Sequence, residues 1–198
     1  EMSLQTRSAP AWDEQAKIYK LWMITSVRQG SEPDPNFGGV TYAESTDGVH
    51  WTKPIQRQRE YHGSRENNFL EFETNSMENA LYHAEDPDPT RRYKGLLGAL
   101  GRRPAASPDG IHWQRLDVPE IPSGDESNLS YDRANGTFIA TLKTDGPYGR
   151  VHGIWTSKDF KTWTNTNVIF HADENDQRLA VTNIRARLAD ATLQQPVY

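Results

Sequence analysis

Ser45-Thr46-Asp47-Gly48-Val49-His50-Trp51, Ser107-Pro108-Asp109-Gly110-Ile111-His112-Trp113 and Ser157-Lys158-Asp159-Phe160-Lys161-Thr162-Trp163 are three copies of one heptapeptide. Each reads Ser-x-Asp, three further residues, then Trp. Trp51 to Trp113 is a step of 62 residues and Trp113 to Trp163 one of 50. A period of that size fits one small four-stranded sheet with its loops, and points to a propeller or an array rather than a single layered domain. The aspartate carboxylate can accept from backbone N–H groups about two residues on, and Gly48 and Gly110 supply the positive φ that such a turn needs. Asp47, Asp109 and Asp159 therefore read as turn formers, and the three tryptophans as large rings buried between neighbouring sheets. Phe160 stands where the other copies carry glycine, so a turn of different detail is expected there.

Outward from each heptapeptide the pattern continues. Upstream lie Trp12-Asp13 to Tyr19-Lys20, Tyr82-His83 to Tyr93-Lys94 and Tyr131-Asp132 to Phe138-Ile139. Each reads as strand, polar turn and strand, a β-hairpin whose second arm carries an aromatic and alternating apolar residues. Third strands are expected at Val40–Glu44, weakly at Pro104–Ala106, and at His152–Thr156, with each Trp opening a fourth. Four short antiparallel strands per unit make a propeller blade. Units of approximately 1–60, 61–122 and 123–172 follow, forming a single partial domain over 1–198. Helix is scarce: 173–198 is expected to be a polar loop leading into a further blade, and Gly30 to Gly39 a surface loop.

Composition limits the function. Charge is mildly acidic, with 22 Lys+Arg against 27 Asp+Glu and no single-sign block, which argues against nucleic acid as a partner. No apolar run approaches the roughly 18 residues of a membrane span. Cysteine is absent, so disulfides and thiolate metal sites are excluded. The histidines lack ligand spacing; His50 and His112 share one repeat position and read as structural. No cofactor is expected. The acidic run Asp173-Glu174-Asn175-Asp176 is the one candidate for a structural calcium, but it lacks the EF-hand glycine and terminal glutamate, and a solvated loop is the better reading.

The third copy resembles the S-K-D-(L or F)-x-x-W element of the five-bladed β-propeller glycoside hydrolases, which include the arabinanase/xylosidase family 43 and the invertase/fructanase family 32. The first two copies resemble the same element in family 43-like bacterial proteins, and the hairpins at 86–94 and 131–138 are similar too. Sialidase Asp-boxes read S-x-D-x-G-x-x-W, one residue longer. The resemblance covers most of residues 7–171, and implies an all-β propeller with a sugar pocket holding two or three carboxylates, a carbohydrate substrate, and a secreted or periplasmic location. Two departures stand against it. Only three to four blades are present where a ring of this type takes five, so a fragment is expected, or a ring completed by further blades or by self-association; Pro196-Val197-Tyr198 reads as the start of another strand. The usual acidic signatures of the group (N-D-P-N, R-D-P and E-C types) are also missing.

In a propeller the first strand of each blade lines the central channel, so residues just before each hairpin are the site candidates: Arg7-Ser8, Arg65–Asn68 and Asp125–Asn128. Glycoside hydrolysis needs a carboxylic acid with a raised pKa and a second carboxylate. Glu66 with Asp125 or Glu126 is the expected catalytic set. Arg7, Asn67, Asn68, Asn128, Arg150 and His152 are the expected substrate binders, as guanidinium, amide and imidazole groups suited to sugar hydroxyls. The alternative is a non-catalytic propeller that binds glycan or protein.

Overall fold

The computed structural model describes residues 2–29, 32–74 and 76–193. The described residues are built mostly of β-strands, gathered into three four-stranded antiparallel sheets, none of them closed. In the first sheet, β1 (Met2–Gln5) and β2 (Ala11–Asp13) pair with successive parts of β3 (Ile18–Gln29), and β4 (Glu32–Ser45) pairs with the other edge of β3. The second sheet is the meander β5 (Met77–Tyr82), β6 (Tyr93–Leu97), β7 (Arg103–Ser107) and β8 (Gln114–Arg115). The third is the meander β9 (Ser127–Asp132), β10 (Thr137–Gly146), β11 (Gly149–Ser157) and β12 (Thr164–Phe170). In the first sheet the expected fourth strand shrinks to a single bridge, Glu44 to Thr52.

All three heptapeptides form the same turn. Asp47 Oδ1 accepts from the N–H groups of Val49 and His50, Asp109 Oδ1 from Ile111 and His112, and Asp159 Oδ1 from Lys161 and Thr162, all at 2.7–2.8 Å. The preceding serine hydroxyl donates to the same carboxylate at 3.0 Å in each copy. Gly48 and Gly110 have φ +77, as the turn chemistry requires, and Phe160 adopts φ +61. The expected difference at Phe160 is therefore absent from the backbone: the left-handed position is kept. Such a conformation costs a non-glycine residue roughly 1 kcal/mol or more, and full burial of the Phe160 ring opposes that cost.

Sheets pack face to face through two cores. Trp22, Val40 and Tyr42 of the first sheet meet Met77, Tyr93 and Ala105 of the second. On the opposite face of the second sheet, Leu96 joins Ile121, Leu129, Phe138, Ala140, Leu142 and Phe160. This division follows from strand alternation, since Tyr93 points to one face of β6 and Lys94 and Leu96 to the other. The second and third turns each seat on the sheet before them. Trp22 Nε1 donates to Gly110 O at 2.7 Å, Lys20 Nζ to Asp109 O at 2.6 Å, and Arg91 Nη2 to Asp159 O at 3.1 Å.

Two expectations are corrected. Residues 32–39 are not a loop, because β4 begins at Glu32 and makes a long hairpin with β3. Residues 174–189 are not a loop leading into a strand but α1 (Glu174–Ala189). Its first turn is closed by a capping box: Asp173 Oδ1 accepts from Asp176 N at 2.9 Å, and Asp176 Oδ2 from Asp173 N at 3.0 Å. The acidic run thus caps a helix. Asn175, Val181, Thr182 and Asn183 weaken the helix without overriding that cap. Residues 196–198 lie outside the described residues, as does Gly30.

Candidate functional site

The three sheets meet along β2, β5 and β9. Ser8 Oγ, just ahead of β2, accepts from Ala80 N on β5 at 3.2 Å, and Asn79 Nδ2 on β5 donates to Ser127 O at 2.9 Å and to Ser127 Oγ at 2.7 Å on β9. At this junction Glu78 is almost fully buried and its charge is answered from three sides. Arg7 Nη1 donates to Oε1 at 2.8 Å; Arg102 Nη2 at 2.8 Å and Ser127 N at 3.0 Å donate to Oε2. Arg102 is itself wholly buried and also donates to Gly98 O. Burial pulls its pKa down and the Glu78 carboxylate opposes that. A buried carboxylate with two guanidiniums and a backbone N–H is a fixed brace: breaking such a network typically costs about 3–5 kcal/mol.

Above the brace sits a second carboxylate in a different environment. Asp125, two residues ahead of β9, is part-exposed and lies 3.1 Å from Lys143 Nζ, 3.2 Å from Arg150 Nη1 and 3.7 Å from Arg7 Nη1. The hydrogen bond from Lys143, then the charges of Lys143, Arg150 and Arg7, hold its pKa below the ordinary carboxylate range. Asp125 is therefore ionised at neutral pH. Lys143 also reaches Glu126 Oε2 at 3.2 Å, so one ammonium bridges both carboxylates. Glu126, Asn128 and His152, with Ser130 and Thr141, border an open depression of ≈ 400 Å³; Asp125, Lys143 and Arg150 border a smaller one of ≈ 230 Å³.

The structure thus brings together Arg7, Asp125, Glu126, Asn128, Arg150 and His152. It does not bring Glu66, Asn67 or Asn68 to the same place. Both oxygens of Glu66 are taken by Arg57, at 2.8 and 3.0 Å, on an exposed part of the link between the first two sheets. Asn67 Nδ2 donates to Arg59 O at 2.9 Å within the link, and Asn68 Nδ2 to Tyr42 O at 2.8 Å, which ties the link to β4. The residues that the sequence reading passed over are Glu78 and Arg102. Counting four residues back from the aromatic of each hairpin (Trp12, Tyr82, Tyr131) gives Ser8, Glu78 and Ser127. That register, applied to all three units, leads to Glu78 and past Glu66.

Among the described residues no group of three or more His, Asp or Glu is arranged to hold a metal ion, and no helix is long and apolar enough to cross a membrane. His50 and His112 each hydrogen-bond the aspartate of their own turn through Nδ1 at 2.7 Å, as repeat-bound residues should.

No protein-family profile matches the sequence, and no curated protein matches it. Among solved structures the chain is similar to a sucrose-6-phosphate hydrolase from Lactobacillus gasseri, with 14% identity and a TM-score of 0.46, over 83% of this chain and 34% of that one. It is also similar to a glycoside hydrolase, with 12% identity and a TM-score of 0.50, over 86% of this chain and 58% of that one. The chain therefore spans less than two thirds of either. The likeness is one of fold: a glycoside hydrolase-like, all-β architecture.

Proposed function

We propose that this chain is part of a five-bladed β-propeller glycoside hydrolase that cleaves glycosidic bonds of an oligo- or polysaccharide where β2, β5 and β9 meet. Support for the propeller is repetition: three antiparallel sheets packed one on the next with inner strands side by side, the second and third of them four-stranded meanders. In a ring of such sheets those strands line the axis. The observation that carries the functional reading is Asp125, a part-exposed carboxylate kept ionised by three cations at that junction.

In this reading Asp125 supplies the negative charge that faces the oxocarbenium-like transition state. Glu126, beside it and open to solvent, protonates the leaving oxygen and takes a proton from the water that attacks the anomeric carbon. Arg7 and Arg150 hold Asp125 in place, while Asn128 and His152 contact sugar hydroxyls. Glu66, fully engaged by Arg57, has no part. A second reading, a propeller that binds glycan without cleaving it, draws on the same cation contacts, since they leave Asp125 few lone pairs for chemistry.

Hydrolysis of a panel of aryl glycosides by the full-length protein separates the two. Asp125→Asn and Glu126→Gln should each lower kcat/KM by about 10²–10⁴-fold. Parental rates in both variants would remove the assigned roles. Glycan binding with no turnover in the parent would establish the second reading.

A further inference from the structure

The third tryptophan of the repeat behaves unlike the other two. Trp51 Nε1 donates to Gly48 O at 3.2 Å and Trp113 Nε1 to Gly110 O at 2.9 Å. Trp163 Nε1 is buried and has no hydrogen-bond partner among the described residues. Its ring meets Phe160 edge-on, centroids 5.3 Å apart. A buried N–H left without an acceptor costs roughly 1–3 kcal/mol, a cost that the first two copies avoid.

The surroundings differ as well. Trp113 is covered, with Phe72 at 6.2 Å and Trp22 at 5.7 Å between ring centroids. Phe72 lies ten residues before Tyr82; the residue ten before Tyr131 is Ile121, a smaller side chain without a ring. In place of an aromatic cover, the third unit has a groove of ≈ 450 Å³ walled by Pro119, Pro122, Trp155 and Trp163 and rimmed by Lys161 and Thr162. That volume is within the roughly 300–1,000 Å³ of small-ligand sites. Trp155 and Trp163 pack one side on the second core and remain half-buried.

We infer that this groove is a second glycan-binding site, separate from the Asp125 cluster, which takes a neutral sugar unit against Trp155 and Trp163. A pyranose presents apolar C–H faces and a girdle of hydroxyls. Two indoles match the faces; the Lys161 ammonium and Thr162 hydroxyl match the girdle. The choice of ligand class rests on the proposed function, but the site does not use its residues.

The test follows the indole N–H resonances of the full-length protein by ¹H–¹⁵N spectroscopy while neutral hexasaccharides of xylose, arabinose or glucose are added. Signals of Trp155 and Trp163 should move, and those of Trp12, Trp22, Trp51 and Trp113 should stay. Trp155→Ala should weaken binding by about tenfold or more. Pro119→Trp, at an exposed position that fills the groove without touching the core, should abolish the shifts. Asp125→Asn should leave the shifts unchanged even where it ends hydrolysis, so failure of the catalytic reading and failure of this one look different. The inference is overturned if no hexasaccharide moves the two signals at about 10 mM, above the ~1 mM Kd of weak binding. It is also overturned if the shifts vanish in Asp125→Asn, or if only a proline-rich peptide or a detergent produces them.

Discussion

The two interfaces between sheets solve one packing problem in opposite ways. At the first, the sheet supplies bulk and the turn supplies space: Trp22 fills the position that a Cβ on Gly110 would need, 2.9 Å from its Cζ2. At the second, the residue matching Trp22, three after the aromatic that opens the second hairpin arm (Tyr19, Tyr93), is Leu96, and the turn supplies the bulk as Phe160. The turn backbone hardly changes, at φ +77 against +61. What is held constant is therefore the turn, and large and small residues trade places across the gap.

Phe160→Ala should cost the most, about 3–5 kcal/mol in urea unfolding, because it empties a fully buried ring position. A loss below ~1 kcal/mol would mean that the second interface is loosely packed. Gly110→Phe should cost about 3 kcal/mol through overpacking and a left-handed φ. Adding Trp22→Leu to it reproduces the second interface at the first. The double variant should be more stable than the summed single effects by about 1–3 kcal/mol; strict additivity would break the comparison.

Acid separates the turns from the cores. Burial raises the Asp109 pKa, but the N–H and imidazole of His112 and the N–H of Ile111 outweigh it and bring the group to about 2. Asp159, where burial is outweighed by the Thr162 and Lys161 N–H groups, also falls to about 2. Groups depressed from an unfolded value near 3.9 stabilise the fold above about pH 4 and lose that contribution between pH 4 and 2. Asp109→Asn should cost roughly 1–2 kcal/mol at neutral pH and flatten the pH 4–2 decline, read by thermal melts.

The smallest effect belongs to His83, packed against Tyr131 and Phe138 at the second interface only. Burial and the Lys94 charge lower its pKa against the pull of Glu85 and Asp86. The unfolded chain therefore binds this proton more readily, and stability falls as pH drops below about 6.5. His83→Phe should remove that slope from Tm measured between pH 7 and 5. An unchanged slope would place its origin elsewhere.

Much of this was legible because it is local. The turns, the hairpins and the short Pro104–Ala106 strand follow from residue types a few positions apart. What was missed depends on longer range or on a single strong cap. The α1 helix turns on Asp173 and Asp176 satisfying each other. Glu78 is visible only when all three units are counted in one register, and its partners Arg7 and Arg102 lie 71 and 24 residues away. Arg65–Asn68 carries the polar character of a site, yet its side chains are spent on fixing a link. Polar residues before a hairpin mark a junction only when their register agrees.

The most direct test is kcat/KM for aryl glycoside hydrolysis by the full-length protein, set beside its Asp125→Asn variant, with glycan affinity measured on both. The account predicts a loss of about 10²-fold or more in the variant, with the fold and the Trp155–Trp163 groove unaffected. Equal rates in the two proteins would contradict it.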